Sequence, residues 1–142
     1  MKQLLSLFAV LTLGLFVFAD DKQSGDVAVR LKGAWKAVSE ELDGKKAPIV
    51  DFTITFDGKK FTIQKMRGKS AGTYKIDASK QPAELDLTIT EGDVPDAGNV
   101  AKCIFELKGD TLRIGLIEPT PDQRPKSFDA RQVAVLTLRR NK

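Results

Sequence analysis

The chain has 142 residues, a formal net charge of +4, one cysteine and no histidine. The lack of histidine excludes Ser-His-Asp and Cys-His catalytic arrangements and the imidazole sites that hold zinc, copper or haem, and a lone cysteine excludes an intramolecular disulfide. Basic and acidic residues are interleaved along the chain rather than grouped in a block, which argues against a nucleic-acid partner.

The N-terminus has the pattern of an export signal. Lys2 provides the charge, an apolar run extends from Leu4 to Phe18, and Ala19 ends a small-residue cleavage site. The run is shorter than the roughly 20 residues that span a bilayer, so cleavage is favoured over an uncleaved anchor. The sequence therefore predicts an exported protein, periplasmic or secreted, without stable membrane insertion after cleavage. The predicted parts are a signal peptide over residues 1–19, a flexible mature N-terminus over 20–29 and one domain over 30–142.

After a single helical turn near residues 26–31, apolar and polar residues alternate with a period of two. In the segment 52–56, for example, phenylalanine and isoleucine alternate with threonine, which is typical of a half-buried antiparallel strand. Asp57-Gly58 and Gly109-Asp110 lie at hairpin spacing between such segments. The pattern predicts strands at 33–41, 50–57, 60–66, 70–77, 84–90, 100–107, 111–117 and 132–140.

Eight strands with mostly short connections predict an all-β fold, an eight-stranded up-and-down antiparallel barrel, because closing the sheet removes its exposed edges. A sandwich of two sheets would show the same alternation and stays open as an alternative. Cys103 shares its strand parity with Phe105 and Leu107. It is therefore predicted to be a buried apolar residue rather than a nucleophile.

Motifs spaced along the whole domain match those of a known family. They are Leu31-x-Gly33-x-Trp35-Lys36, Phe56-x-Gly58-x-x-Phe61, Gly72-Thr73-Tyr74-Lys75-Ile76-Asp77, Ser79-Lys80-x-Pro82, Leu85-Asp86-Leu87, Glu91-Gly92, Phe105-Glu106-Leu107-x-Gly109-Asp110-Thr111-Leu112-Arg113 and Arg124-Pro125-x-x-Phe128. Together they resemble the lipocalin-like domain family of uncharacterised exported proteins common in planctomycete bacteria. The resemblance implies a lipocalin-like barrel, and it implies no particular activity.

The resemblance also implies how one end of the barrel closes. In lipocalins a tryptophan of the first strand plugs the barrel, and an arginine of the last strand lies on its ring in a cation–π contact. Gly33 and Trp35 hold the first-strand positions of this motif, and either Arg139 or Arg140 can supply the guanidinium. Arg140 is favoured because it shares the parity of Leu138.

The opposite rim is then formed by the connections over residues 42–49, 67–69, 91–99 and 118–131. Long loops on one rim are typical of a recognition site, although unconstrained surface loops would look the same. Within the last loop, Arg124 either binds an anionic partner or pairs with a local acid, and the local pair is favoured. The candidate ligand-binding residues on the rim are Lys45, Pro48, Arg67, Val94, Pro95, Arg124 and Phe128.

Two functions stay open. One is a binding protein for a small apolar or amphipathic ligand, since an eight-stranded barrel is near the size that either fills with side chains or holds one small molecule. The alternative is a solid barrel that serves as a protein-interaction or envelope-associated module. An enzyme ranks last, and no cofactor is expected. No metal is expected either, because the oxygen-rich segment with Glu91, Asp93, Asp96 and Asn99 lacks the spacing of a calcium loop.

Overall fold

The computed structural model describes residues 25–48, 51–92, 100–117 and 120–142. Residues 25–31 form a short helix, and β-strands follow it. The strands are β1 (Gly33–Leu42), β2 (Lys45–Ala47), β3 (Phe52–Phe56), β4 (Lys60–Lys65), β5 (Gly68–Asp77), β6 (Ala83–Gly92), β7 (Val100–Lys108), β8 (Thr111–Ile117) and β9 (Val133–Arg140).

These strands form one antiparallel sheet in the order β2-β1-β3-β4-β5-β6-β7-β8-β9, and β1 also pairs with β9. The pairing of β1 with β9 closes the sheet into a barrel. β2 and β3 both lie on the side of β1 away from β9, opposite different parts of β1, so together they take one position in the wall. The predicted eight-stranded up-and-down antiparallel barrel is confirmed, and the sandwich alternative is wrong.

Because the strands alternate in direction, their connections fall at two ends of the barrel. The lower end, where β1 begins, carries the helix and the connections over residues 57–59, 78–82 and 109–110. The upper end, where β1 ends, carries the turns at residues 43–44 and 66–67. This is the division of loops between two ends that the strand count predicts.

The connection after β1 differs from the open loop predicted over residues 42–49. Asp43 and Gly44 have φ of 53° and 78°, and β2 returns along β1 immediately after them. Two consecutive residues with positive φ are typical of a type I′ hairpin turn. The Asp43 carboxylate also accepts a hydrogen bond from the backbone N–H of Gln132 at 2.6 Å, which ties the turn to the start of β9.

The inward side chains form a single apolar core in the barrel interior. Its three largest fully buried members are Trp35, Phe56 and Phe61. Cys103 is 1% exposed, as its parity predicts. Full burial of one such large apolar side chain stabilises the fold by roughly 1.5–3 kcal/mol. The other buried members of the cluster are Leu31, Ala37, Ile54, Leu85, Leu87, Phe105, Leu112, Ile114 and Leu138.

A β-bulge in β1 changes which of its residues face inward. The pairing of β1 with β9 shifts between Ala37 and Ser39, so Val38 is the extra residue. Beyond the bulge, Glu40 lies opposite Leu136, which packs against the core. Residues opposite each other in an antiparallel pair share a face of the sheet, so Glu40 lies on the inner face.

The helix lies in a part of the chain predicted to be mostly flexible. It includes residues 25–29 of the predicted segment 20–29, together with residues 30 and 31. Val27 packs against the core, and Leu31 is fully buried. Within the described ranges, no helix has the length and apolar character required to cross a membrane.

Residues 120–131, in the connection between β8 and β9, lie on the outer wall rather than around the upper end. Lys102 donates its backbone N–H to the carbonyl of Pro121 at 2.8 Å, which holds this connection against β7. Beneath it, the outward-facing Ile104, Val133 and Val135 are only 1–7% exposed. For residues 120–131, the prediction of a place on the upper rim is therefore wrong, because outward apolar side chains of β7 and β9 require a cover.

Candidate functional site

The lower end is plugged by Trp35 and the helix. The indole is fully buried, and its Nε1–H donates to the carbonyl of Leu31 at 2.8 Å. A helix leaves its last carbonyls without partners inside the helix, so this bond supplies one of the missing donors. Lys32 supplies another, through its backbone N–H to the carbonyl of Val29 at 3.3 Å.

Arg140 completes the plug. Its guanidinium carbon lies 4.3 Å from the centroid of the Trp35 ring, which is the cation–π arrangement expected for this pair. Its Nη2 donates to the carbonyl of Arg30 at 2.6 Å, and its Nη1 donates to that of Lys32 at 2.8 Å. A cation at the C-terminal end of a helix is favourable, because the helix dipole is negative there. The four carbonyls from residue 29 to residue 32 therefore all have donors.

Gly33 is required by the approach of this guanidinium. Its φ is +119°, and a Cβ built on it would lie 3.0 Å from Nη1 of Arg140. Any other residue would combine backbone strain with a close contact. The arginine is also held from outside by Asp110, whose carboxylate lies 3.3 Å from its Nε. A hydrogen bond from Lys142 and the charges of Lys142 and Arg140 lower the pKa of Asp110 from 3.8.

At the upper end the inner face is apolar but keeps contact with solvent. Six apolar residues that pack against the core there are only partly buried, in contrast to the fully buried Trp35 and Leu31 below. At the lower rim Ile76, Ala83 and Leu107 are also half-buried, but there the helix and the indole fill the axis of the barrel. The six upper residues are Phe52, Ile63, Ile89, Ala101, Leu116 and Leu136.

Polar residues also lie on this upper inner face, and three of them are opposite apolar residues of the set. Glu40 lies opposite Leu136, Lys65 lies opposite Phe52, and Ser70 lies opposite Ile63. An apolar surface bordered by a carboxylate, an ammonium group and a hydroxyl is suited to a molecule with an apolar body and a polar head. We refer to the six apolar and three polar residues as the upper mouth.

Of the residues predicted on the rim, three lie at the upper end. Lys45 is in β2, Pro48 follows β2, and Arg67 is in the turn between β4 and β5, and all three are exposed. Val94 and Pro95 lie outside the described residues. Sequence reasoning missed Glu40, Lys65 and Ser70. The strand parity of Phe52 and Ile63 could have identified the last two, whereas Glu40 depends on the bulge.

Arg124 is not on the rim but on the outer wall, where it pairs with local acids. Its Nη2 donates to Oδ1 of Asp86 at 2.5 Å, and its Nε lies 3.6 Å from Oε1 of Glu84. Its Nη1 donates to the carbonyl of Cys103 at 2.8 Å. The side chain is 22% exposed, so these contacts are partly shielded from water. The favoured pairing of Arg124 with a local acid is therefore confirmed, and its predicted position on the rim is wrong because Asp86 and Glu84 hold it against β6.

Phe128 is the second correction to the predicted rim. The guanidinium carbon of Arg113 lies 4.4 Å from the centroid of its ring. The ring also approaches Gly115, where a Cβ would lie 3.3 Å from Cδ1 of Phe128 and 3.1 Å from Cγ1 of Ile104. Phe128 therefore covers the outward apolar surface of β7 and β8, beneath the long connection to which it belongs.

An open cleft of about 290 Å³ lies beside Arg124, between the connections over residues 78–82 and 120–132. Lys80, Glu84 and Lys126 line it together with apolar parts of Pro82 and Ile104. Because Arg124 is already paired with Asp86, its positive charge in the cleft is largely neutralised.

The remaining chemical groups of the described residues are modest. Burial raises the pKa of the Cys103 thiol from 9.0 to about 12, so the thiol stays protonated and is a poor nucleophile. Asp86 and Glu106 face outward, and Glu106 pairs with Lys108 at 3.3 Å and with Arg113 at 3.7 Å. No group of three or more acidic or cysteine side chains arranged to hold a metal ion occurs in the described ranges.

Comparisons of this chain with models of protein families, with curated proteins and with solved structures find no match.

Proposed function

We propose that this chain is an exported, lipocalin-like binding protein that holds a small apolar or amphipathic molecule at its upper mouth. The observation that supports this proposal is the partial exposure of the six inward apolar side chains of the upper mouth, opposite a plugged lower end. Apolar surface that stays in contact with water at a concave end gains free energy when a ligand covers it.

The packing of the core limits the depth of the proposed site. Leu85, Cys103 and Ile114 are 0–3% exposed, so side chains fill the lower part of the interior. A ligand is therefore expected to lie in the upper part of the barrel, with its polar head near Glu40 or Lys65. Export is part of the proposal, and it rests on the apolar run from Leu4 to Phe18.

The experiment uses two neighbouring residues of β4. Ile63 faces the upper mouth, and Thr62 faces outward with a similar half-buried environment. We expect Ile63→Asn to weaken binding of a fluorescent fatty acid by roughly tenfold or more, because it removes buried apolar contact with the ligand. Thr62→Asn should leave binding unchanged. Equal affinities of the two variants for the probe would contradict the site.

A second measurement tests for a natural ligand. Native mass spectrometry of the protein secreted by its own host, combined with organic extraction, should show a bound mass and a mature chain that begins near Asp20. The filled lower core favours the alternative function, a solid interaction module. An unliganded spectrum, together with no binding of the fatty-acid probe, would support that alternative.

A further inference from the structure

The hairpin between β4 and β5 exposes an apolar residue at the tip of the upper end. Met66 lies in the two-residue turn, and its relative exposure of 78% is the highest of the large exposed apolar residues among those described. A methionine in water at a hairpin tip contributes nothing to the core. Such an exposed apolar side chain is a candidate contact for another surface.

The charged residues of the hairpin itself are all basic, and the acids beside it at this end, Asp51 and Glu91, lie on or next to the adjacent strands. Lys65 precedes it, Arg67 follows it, and Lys69 lies two residues further on, with no acid from residue 64 to residue 70. Arg67 and Lys69 are exposed. Among the described residues, none of the three cations forms an ion pair within 4 Å. We call residues 65–69 the basic tip.

A second hairpin at the same end, between β1 and β2, also carries an exposed apolar residue and cations. Leu42, at the end of β1, is 42% exposed, and Lys45 and Lys46 follow it in β2. Both hairpins belong to the upper end. The upper end therefore presents two exposed apolar residues and five cations, and its acids lie outside the basic tip, in the β1–β2 hairpin and on the adjacent strands.

We propose that the basic tip docks this protein on an anionic lipid surface, with Met66 entering the interface. A bilayer offers anionic groups for the cations and an apolar layer for Met66 at nearly the same depth, because its phosphate groups lie beside the outer ends of the acyl chains. Lysine and arginine near an anionic membrane each gain free energy from its surface potential, and partial burial of an apolar side chain adds to this. A nucleic acid would provide phosphates but no apolar layer for the thioether.

This docking does not depend on a ligand inside the barrel, so it goes beyond the proposed function. Its geometric consequence concerns orientation. Because the basic tip and the upper mouth are at the same end, docking would turn the mouth toward the bilayer. Such an orientation would let an amphipathic molecule pass between the membrane and the barrel without crossing bulk water.

The test is co-sedimentation of the mature protein with vesicles. One set contains equal amounts of phosphatidylcholine and phosphatidylglycerol, and the other contains phosphatidylcholine alone. We expect binding to the anionic vesicles only, and weaker binding as salt is added. The triple variant Lys65→Gln, Arg67→Gln, Lys69→Gln should lose roughly 100-fold in partition coefficient, since each cation contributes roughly fivefold.

The matched control removes three exposed lysines at the opposite end. Lys59, Lys60 and Lys80 are all exposed, and replacing each by glutamine changes the net charge by the same amount. This control should lose far less affinity than the triple variant of the basic tip. Equal losses would mean that only net charge matters and would overturn docking through this hairpin, as would the failure of the unaltered protein to bind anionic vesicles.

A spectroscopic variant locates the contact. In Met66→Trp, the new indole should shift its emission to shorter wavelength on addition of anionic vesicles and be quenched by brominated lipids. Trp35 is fully buried in the barrel and provides a constant background, which the unaltered protein measures separately. Vesicle binding without any change in the emission at position 66 would place the membrane contact elsewhere and overturn the proposal.

Discussion

The two ends of this barrel are built from the same alternating strands but differ in what covers them. At the lower end, a helix, the Trp35 indole and the Arg140 guanidinium form a connected plug in which the carbonyls of residues 29–32 all have donors. At the upper end, inward apolar side chains keep partial contact with water. The difference shows that alternation builds the wall, whereas closing an end requires residues beyond the alternating pattern.

The largest expected effect comes from removing the centre of the plug. Trp35→Ala should lower the free energy of unfolding by about 3–5 kcal/mol, because a buried aromatic side chain is lost and a cavity remains. Urea denaturation followed by circular dichroism measures this change. Trp35→Phe keeps most of the packing but loses the bond to the Leu31 carbonyl, so it should be less damaging than Trp35→Ala. An alanine variant as stable as the unaltered protein would show that the indole does not close the barrel.

Two leucines of β9 sharpen the comparison between the ends. Leu138 is fully buried near the lower end, whereas Leu136, two residues away on the same face, is only partly buried at the upper mouth. Leu138→Ala should cost about 2–5 kcal/mol, and Leu136→Ala should cost about 1 kcal/mol because part of its side chain already contacts water. Chemical denaturation of both variants gives the two values. A cost for Leu136→Ala equal to that for Leu138→Ala would mean that the upper interior is as closed as the lower one.

Substitutions of the two adjacent arginines of β9 distinguish the loss of the Arg140 contacts from the loss of one positive charge. Arg140→Ala should cost about 2–3 kcal/mol, since it removes the stacking on Trp35 and charge-assisted bonds to two carbonyls. Arg139 is exposed on the other face, and Arg139→Ala should change stability by less than about 0.5 kcal/mol. Arg140→Lys should remain destabilising, because an ammonium group cannot donate in the same planar arrangement. Full stability of Arg140→Lys in thermal unfolding would contradict this geometry.

The last expected effect is absent at neutral pH and appears only at alkaline pH. The pKa of Cys103 is raised in the folded state from 9.0 to about 12, so the unfolded chain loses this proton first. Stability from this residue is complete below pH 9 and falls by about 1.4 kcal/mol per pH unit above it, until the folded thiol also ionises. The difference between the unaltered protein and Cys103→Ala in denaturation at several pH values isolates this contribution from lysine and Tyr74. Parallel pH dependence of the two proteins would contradict the assignment.

The barrel could be predicted from the alternation, and the pair of Trp35 and Arg140 from the family resemblance together with strand parity, whereas the helix as part of the plug was not predicted. With eight antiparallel strands, the start of the first and the end of the last lie side by side, which brings Trp35 and Arg140 together. The bulge at Val38 could not be predicted, since one extra residue leaves no mark in the alternation yet turns Glu40 inward.

The position of the outer connection could have been predicted from the last strand, but the length of the connection led to a wrong prediction. The last strand is apolar on both faces, and a strand in a barrel wall has such a pattern only when something covers its outside. Val133 and Val135 are indeed buried although they face outward, and residues 121 and 128 lie against strands β7 and β8. The length of this connection suggested a recognition loop, whereas its place is set by the apolar surface that it covers and by the pairing of Arg124 with Asp86.

The bond from Arg140 to the carbonyl of Arg30 joins residues 110 positions apart in the chain. Contacts between residues so distant in sequence form slowly, because a large loop must close before they stabilise anything. We therefore expect the floor of the barrel to be among the last parts to assemble. Until β9 has been synthesised, the polypeptide lacks both the strand that pairs with the free edge of β1 and the cation that binds the last carbonyls of its helix. The barrel therefore cannot close before the end of the chain is made.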